Sequence, residues 1–101
     1  MFMTASHEYV RKQTDHLNNP TPELRAIATA ANDKFTASGQ AVILLADDDL
    51  ENATIELWNA TIAVPKRWDA VDADYPNKLD RYRVARTSFN ANAKRYLRTL
   101  A

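Results

Sequence analysis

Residues 52–62 read NATIELWNATI, in which the tetrapeptide Asn-Ala-Thr-Ile occurs twice, with its two copies seven residues apart. Seven residues make nearly two turns of an α-helix, so each residue of the second copy returns to almost the same face as its counterpart. The repeat therefore places Thr54 and Thr61 on one stripe. Ile55, Trp58 and Ile62 form a second, apolar strip beside it. We predict a helix that packs on two sides.

The same repeat contains two Asn-x-Thr motifs, at Asn52 and Asn59, which gives the stretch a second interpretation as a pair of glycosylation sites. A glycan would require the secretory pathway, and we expect no signal peptide because the first residues lack a charged region followed by an apolar one. Glycosylated motifs also lie on accessible loops rather than inside helices. The helical interpretation is therefore favoured.

Apolar side chains recur at intervals of three and four residues on both sides of this repeat, which is the spacing of a helical stripe that packs in a bundle. The stripes are Leu24, Ala28, Ala31, Phe35, Ser38, Val42 and Leu45; then Leu50, Thr54, Leu57, Thr61, Val64, Trp68 and Val71; then Leu79, Tyr82, Arg86, Phe89, Ala93, Tyr96 and Leu100. A shorter amphipathic stretch precedes them. The predicted helices are about 4–18, 22–46, 49–73 and 76–100.

Local signals set the predicted starts of two of these helices. Thr21, Pro22 and Glu23 supply an N-cap hydroxyl, a proline at the first helical position and an acid in the first turn, so they predict the start of the second helix. Asp48 is followed three residues later by Glu51, which predicts a capping box at the start of the third helix.

Pro65 interrupts the third predicted helix. It removes the amide that would bond the carbonyl of Thr61, and it disfavours helical geometry at Val64, so the helix either kinks or splits there. Because Trp68 and Val71 continue the apolar stripe in phase, we predict a kink.

The predicted fold class is all-α, with one domain over residues 1–101. Short connections force consecutive long helices to run antiparallel. We therefore predict an antiparallel three-helix up-down-up bundle with an additional short N-terminal helix, which makes four helices in total. A chain of 101 residues can bury a core without metal or disulfide support, and this one has no cysteine.

Charge is balanced over the chain, with thirteen basic and thirteen acidic residues, but it is unevenly distributed. Residues 47–75 carry eight acids against Lys66 and Arg67, and residues 76–101 carry seven bases against Asp80. We predict that the two segments pack side by side and neutralise each other. The alternative is a basic C-terminal helix that binds an anionic partner such as nucleic acid.

Neither metal nor cofactor binding is predicted. His7 and His16 are nine residues apart and face opposite sides of a helix. The acidic run that starts at Asp47 does not match a calcium-binding loop, because the sixth and twelfth positions hold Asn52 and Trp58 instead of Gly and Glu. We also predict no catalytic residues and no membrane insertion, since the longest apolar run has six residues. The expected location is cytoplasmic.

Arg86 is the one charged residue at the centre of an apolar stripe, between Tyr82 and Phe89. A buried guanidinium needs a partner. We favour an arginine that lies along aromatic rings or pairs with an acid such as Glu56 or Asp69. The functional alternative is an anion-binding position in a cavity of the bundle.

The predicted function is non-catalytic: a helical bundle that binds another protein or a second copy of itself. The candidate interface is Val42, Ile43, Leu44 and Leu45, whose side chains point all round the second helix. The first alternative is a small nucleic-acid-associated protein that uses the basic C-terminal helix. The second is a small-molecule-binding or enzymatic bundle built around Arg86.

Overall fold

The computed structural model describes residues 1–100, and within that range the protein forms four α-helices and no strand. The helices are α1 (Phe2–Asn18), α2 (Pro22–Leu45), α3 (Asp48–Ile62) and α4 (Tyr75–Thr99). The predicted all-α class is therefore confirmed. No helix in this range combines the length and the apolar character that crossing a membrane requires.

The first two helices begin differently from each other. α2 starts as predicted: the Thr21 hydroxyl accepts a hydrogen bond from the Leu24 amide at 3.2 Å, and Pro22 occupies the first turn. α1 starts two residues earlier than predicted. Phe2 is the reason, because its ring is buried in the core and draws the first turn onto the other helices.

α3 begins at Asp48, one residue before the predicted start of the third helix. Its N-cap is Asp47, whose carboxylate accepts a hydrogen bond from the Leu50 amide at 2.9 Å. The same carboxylate binds the Arg95 guanidinium through two hydrogen bonds of 2.9 and 3.0 Å. The prediction of Asp48 as the cap is therefore wrong: Asp47 caps α3 and also binds α4.

α3 ends at Ile62, so the prediction that it continues to residue 73 through a kink is wrong. Just after the end of α3, the Val64 amide donates a hydrogen bond to the Thr61 carbonyl, three residues back, at 3.2 Å. Pro65 has no amide hydrogen that could continue the helical hydrogen bonds. Residues 63–74 form turns and irregular backbone instead. Val71, which continues the apolar stripe in phase, is 99% exposed.

α1 and α2 form one helix pair. The Phe2 ring stacks on the Phe35 ring with centroids 5.1 Å apart, and the Gln13 amide nitrogen donates to the Ala28 carbonyl at 2.9 Å. Later residues of α1 thus meet earlier residues of α2, so the two helices run in opposite directions.

α3 and α4 form the second pair. Arg95, near the end of α4, binds Asp47 at the start of α3, while Ala63 at the other end of α3 lies across a groove from Lys78. These helices are also antiparallel. α3 packs against α1 and α2 as well, and so joins the two pairs. α1 has 17 residues and α3 has 15, so the N-terminal helix is not the shortest of the four. The up-down-up order of α2, α3 and α4 as one bundle stays a prediction.

The core lies where the two pairs meet. Phe35 and Leu57 are its most deeply buried large apolar side chains. Thr54 and Thr61 are also fully buried, and their hydroxyls donate to the Leu50 and Leu57 carbonyls of the preceding turn at 2.7 and 2.6 Å. The two threonines of the repeat therefore lie inside the core with their hydrogen bonds satisfied.

Gly39 lets α3 and α1 approach α2 closely. A Cβ atom built on this residue would lie 2.6 Å from a ring carbon of Trp58 and 2.8 Å from a ring carbon of Phe2. Both distances are well inside van der Waals contact, so the aromatic rings occupy the space where any other residue would place its side chain.

Candidate functional site

One end of the molecule carries a cluster of exposed leucines, which we call the apolar end. It comprises Leu44 and Leu45 at the end of α2 and Leu97 and Leu100 at the end of α4, which are 84%, 73%, 64% and 65% exposed. The Tyr96 hydroxyl donates to the Leu45 carbonyl and so holds the two helix ends together.

A groove of about 620 Å³ opens beside these leucines, between α4 and the α1–α2 pair. Its apolar lining includes Phe2, Met3, Val42, Leu45, Phe89 and Leu97. Its polar lining residues are Ser38, Asn90 and Lys94. Leu50 of α3 also lies in the lining, so all four helices supply this concave apolar surface. The groove lacks converging acids and bases, so it is suited to bind apolar side chains rather than to perform acid–base chemistry.

The four residues predicted as an interface do not share one environment. Val42 and Ile43 are half-buried, whereas Leu44 and Leu45 are exposed. Val42 and Leu45 line the groove. The N-terminus of α1 packs near Val42 but leaves the two leucines open to solvent.

Leu97 is the groove residue that the sequence did not single out. It lies one position off the predicted stripe through Ala93, Tyr96 and Leu100, and this periodicity assigned it to the outside of α4. The available signal was the run Tyr96-Leu97, two adjacent large apolar residues near the end of α4.

Charges of both signs surround the apolar end. Asp48 and Asp49 are exposed in the first turn of α3, and Lys94 and Arg98 are exposed on α4. The ion pair between Asp47 and Arg95 fixes the acidic turn beside α4. This pair holds the pKa of the Asp47 carboxyl below its usual range, first through the hydrogen bond from the guanidinium.

Arg86 lies over the Tyr82 ring, with its guanidinium carbon 5.4 Å from the ring centroid. This is the predicted aromatic arrangement. The alternative pairing with Glu56 or Asp69 is not formed: within residues 1–100 no carboxylate forms an ion pair with Arg86, and its buried Nε atom has no hydrogen-bond partner. Tyr82 in turn bonds Ser6 across the α1–α4 boundary, at 3.1 Å between hydroxyl oxygens.

His7 lies beside this cluster, with its ring 6.1 Å from the Tyr82 ring. Desolvation of the imidazole, followed by the positive charge of Arg86, lowers the pKa of His7 from its usual 6.5. The residues near Arg86 are therefore an aromatic ring, a hydroxyl and an imidazole that resists protonation. Arg86 does not line any of the grooves described above, so none of them supports an anion-binding site at this residue.

The lowered pKa of His7 predicts a pH-dependent stability. Below pH 6.5 the unfolded chain binds a proton at this imidazole more readily than the folded chain does, so the free energy of unfolding falls as the pH drops through 6.5 towards the lowered pKa. His7→Gln removes the titration. Chemical denaturation between about pH 8 and about pH 5 should therefore show a weaker pH dependence in the variant than in the wild type.

Equal pH dependence in the two proteins would contradict this assignment. The carboxyl groups in ion pairs do not obscure this effect, because their pKa values are lowered from 3.8. Their contribution to the free energy of unfolding is lost only as the pH falls below that value. These groups are Asp47, Asp69 and Asp72.

The bases of α4 partly neutralise the acids that precede them. Lys78 binds Asp72 at 2.8 Å, and Arg95 binds Asp47 at 2.9 Å. The predicted internal neutralisation of the two charged segments is thus present for two pairs. Arg81, Arg83 and the exposed bases near the C-terminus of α4 remain available to an anionic partner.

The opposite end of the molecule is held by Asn18. Its side-chain nitrogen donates to the Lys66 carbonyl at 2.8 Å, and its side-chain oxygen accepts from the Trp68 amide at 2.7 Å. Lys66 lies over the rings of both Trp68 and Tyr75, at 5.5 and 5.2 Å from their centroids. The exposed Trp68 is therefore a fixed part of this loop.

Residues 1–100 bring together no group of three or more acidic or histidine side chains that could hold a metal ion. Comparison with known proteins finds no family model that matches the chain and no significant match among curated proteins or solved structures.

Proposed function

We propose that this protein acts without catalysis, by binding another protein through its apolar end. The observation that carries the proposal is the set of four exposed leucines beside an open apolar groove. Single exposed leucines are common on protein surfaces, but contiguous apolar patches mark interaction sites. Covering such a patch removes apolar surface from water, which is the main source of affinity in protein association.

The anatomy of the apolar end supports an interface rather than a small-molecule site. Its groove is lined mainly by apolar side chains, and Asp48, Asp49 and Arg98 lie outside that lining, as in protein interfaces with an apolar core and a polar rim. Its groove is open on one side and continues into the exposed leucines, so a small ligand would leave much of it uncovered. The two helix pairs form the apolar end, so the proposed binding does not depend on the up-down-up bundle predicted from the sequence.

The two alternatives have less support. A nucleic-acid role for α4 would need its bases on one face, and Lys78 and Arg95 are engaged with carboxylates. Retention on heparin that falls steeply with salt would favour that role, because phosphate contacts release counterions. A ligand site around Arg86 would need a polar cavity, whereas Arg86 lies against Tyr82.

The proposal predicts a crosslinking result that depends on position. A photo-crosslinking amino acid replaces Leu44 beside the groove or Val71 in the 63–74 loop, which lies beyond the far end of α3. Irradiation of cells that produce the protein should give a discrete protein adduct from position 44 and none from position 71. The comparison is matched, since both side chains are largely exposed.

A second substitution tests whether the groove causes the adduct. Leu97→Asp puts a charge into the lining of the groove without disturbing the core, since Leu97 is 64% exposed. It should abolish the adduct from position 44. The proposal fails if position 44 gives no adduct, or if the adduct persists in the Leu97→Asp chain.

A further inference from the structure

We propose that the partner at the apolar end is a second copy of this chain, bound through the same end; this inference rests on the proposed function. Two copies related by a two-fold axis present the same surface to each other, so such an interface must be complementary to itself. The apolar end meets this condition in shape and in charge.

The shape argument comes from the adjacent concave and convex surfaces. The groove between α4 and the α1–α2 pair is lined by apolar side chains that include Leu45 and Leu97. Leu44, the neighbour of Leu45 in the sequence, and Leu100, three residues after Leu97, are exposed. A two-fold axis through the boundary between the groove and the leucines would place the leucines of each copy against the groove of the other. Both copies would then bury apolar surface that a single copy leaves in water.

The charge argument comes from the rim. Asp48 and Asp49 lie on the α3 side of the apolar end, with the exposed Asp49 carboxylate 3.9 Å from the Arg95 guanidinium, and Lys94 and Arg98 lie on α4. A rim with two acids and two bases matches another copy of itself, while a strongly acidic or strongly basic partner would meet repulsion from half of it. The whole chain has a formal charge of zero, so two copies also approach without net repulsion.

The test is sedimentation equilibrium of the purified full chain over a concentration series. The wild type should approach twice the 11.4 kDa of one chain as the concentration rises. Leu97→Asp and Leu44→Asp should each weaken the dimer. A symmetric dimer contains each substitution twice. If each copy of the substitution weakens the affinity about tenfold, the dissociation constant of the dimer should rise about a hundredfold.

Val71→Asp is the control, because this side chain is 99% exposed at the other end of the molecule; it should leave the dimer unchanged. Circular dichroism verifies that all three variants keep their helices. A wild type that stays monomeric at every concentration overturns the second copy as partner. So does a dimer that Leu97→Asp and Leu44→Asp leave intact.

Crosslinking from position 44 separates failure of this inference from failure of the proposed function. An adduct of two identical chains supports the second copy. An adduct with a different protein, together with a monomeric purified chain, overturns the second copy and leaves the proposed function standing. A monomeric chain that forms no adduct overturns both.

Discussion

Replacing Phe35 by alanine should lower the free energy of unfolding by about 3–5 kcal/mol, which is the usual cost of deleting a fully buried aromatic side chain. The ring packs against three others, with centroid distances of 5.1 Å to Phe2, 4.9 Å to Tyr9 and 5.2 Å to Trp58. It therefore joins α2 to both α1 and α3. Since domains of this size are stabilised by only about 5–15 kcal/mol, the variant should be close to unfolding.

Urea denaturation followed by circular dichroism measures this loss, and Val71→Ala serves as the control. Val71 is 99% exposed, so its truncation should change the free energy of unfolding by no more than about 0.5 kcal/mol. A loss below about 1 kcal/mol for Phe35→Ala would mean that the ring does not fill the space between the helix pairs.

Replacing Gly39 by alanine should destabilise the protein, although glycine in the middle of a helix normally costs stability. Helix propensity alone predicts that the substitution stabilises α2 by about 1 kcal/mol. The added methyl group, however, would meet the rings of Trp58 and Phe2 at distances that no real Cβ atom shows. Overpacking of this kind costs about 1–3 kcal/mol, so we expect the net effect to be a loss of stability.

Thermal unfolding followed by circular dichroism shows whether Gly39→Ala raises or lowers the stability, and this sign tests the prediction. Gln40→Ala is the matched control, since Gln40 is the next residue of α2 and is exposed. That variant should unfold at nearly the same temperature as the wild type. An increase in the unfolding temperature for Gly39→Ala would contradict the close approach of the aromatic rings to the α2 backbone.

The sequence predicted those parts of the fold that depend on local chemistry and on one dominant stripe. The start of α2 follows from a hydroxyl, a proline and an acid at consecutive positions, and the structure contains the predicted cap at Thr21. The NATI repeat placed Thr54 and Thr61 on a packed face, and both are fully buried. In these cases neighbours along the chain carry enough information to determine the outcome.

Features that depend on distant partners were not predictable in the same way. The stripe continues in phase to Val71, and it suggested a kinked helix, but α3 ends before Pro65 and the Val71 side chain is 99% exposed. Asp47, and not Asp48, caps α3, and its carboxylate also binds Arg95 near the end of α4, a partner 48 residues away in the sequence. Periodicity indicates which side of a helix is apolar, but it does not indicate whether another helix covers it.

The same limitation applies to the candidate site. The sequence located Leu44 and Leu45 through the apolar run at the end of the second helix. It did not connect them with Leu97, because α2 and α4 are adjacent only through contacts such as that between Tyr96 and Leu45. The side chains of Arg86 and Tyr82 could be placed on one helical face from their spacing, whereas the approach of His7 from α1 could not.

Carbene footprinting of the side chains tests the central claim most directly, because it measures which of them water and reagents reach. In the dilute isolated chain the account predicts heavy labelling of Leu44 and Leu97 and none of Phe35 or Leu57. Labelling of the two exposed leucines should fall when the partner binds, while Val71 stays labelled. Labelled Phe35 and Leu57, or leucines whose labelling is unchanged by the partner, would contradict the account.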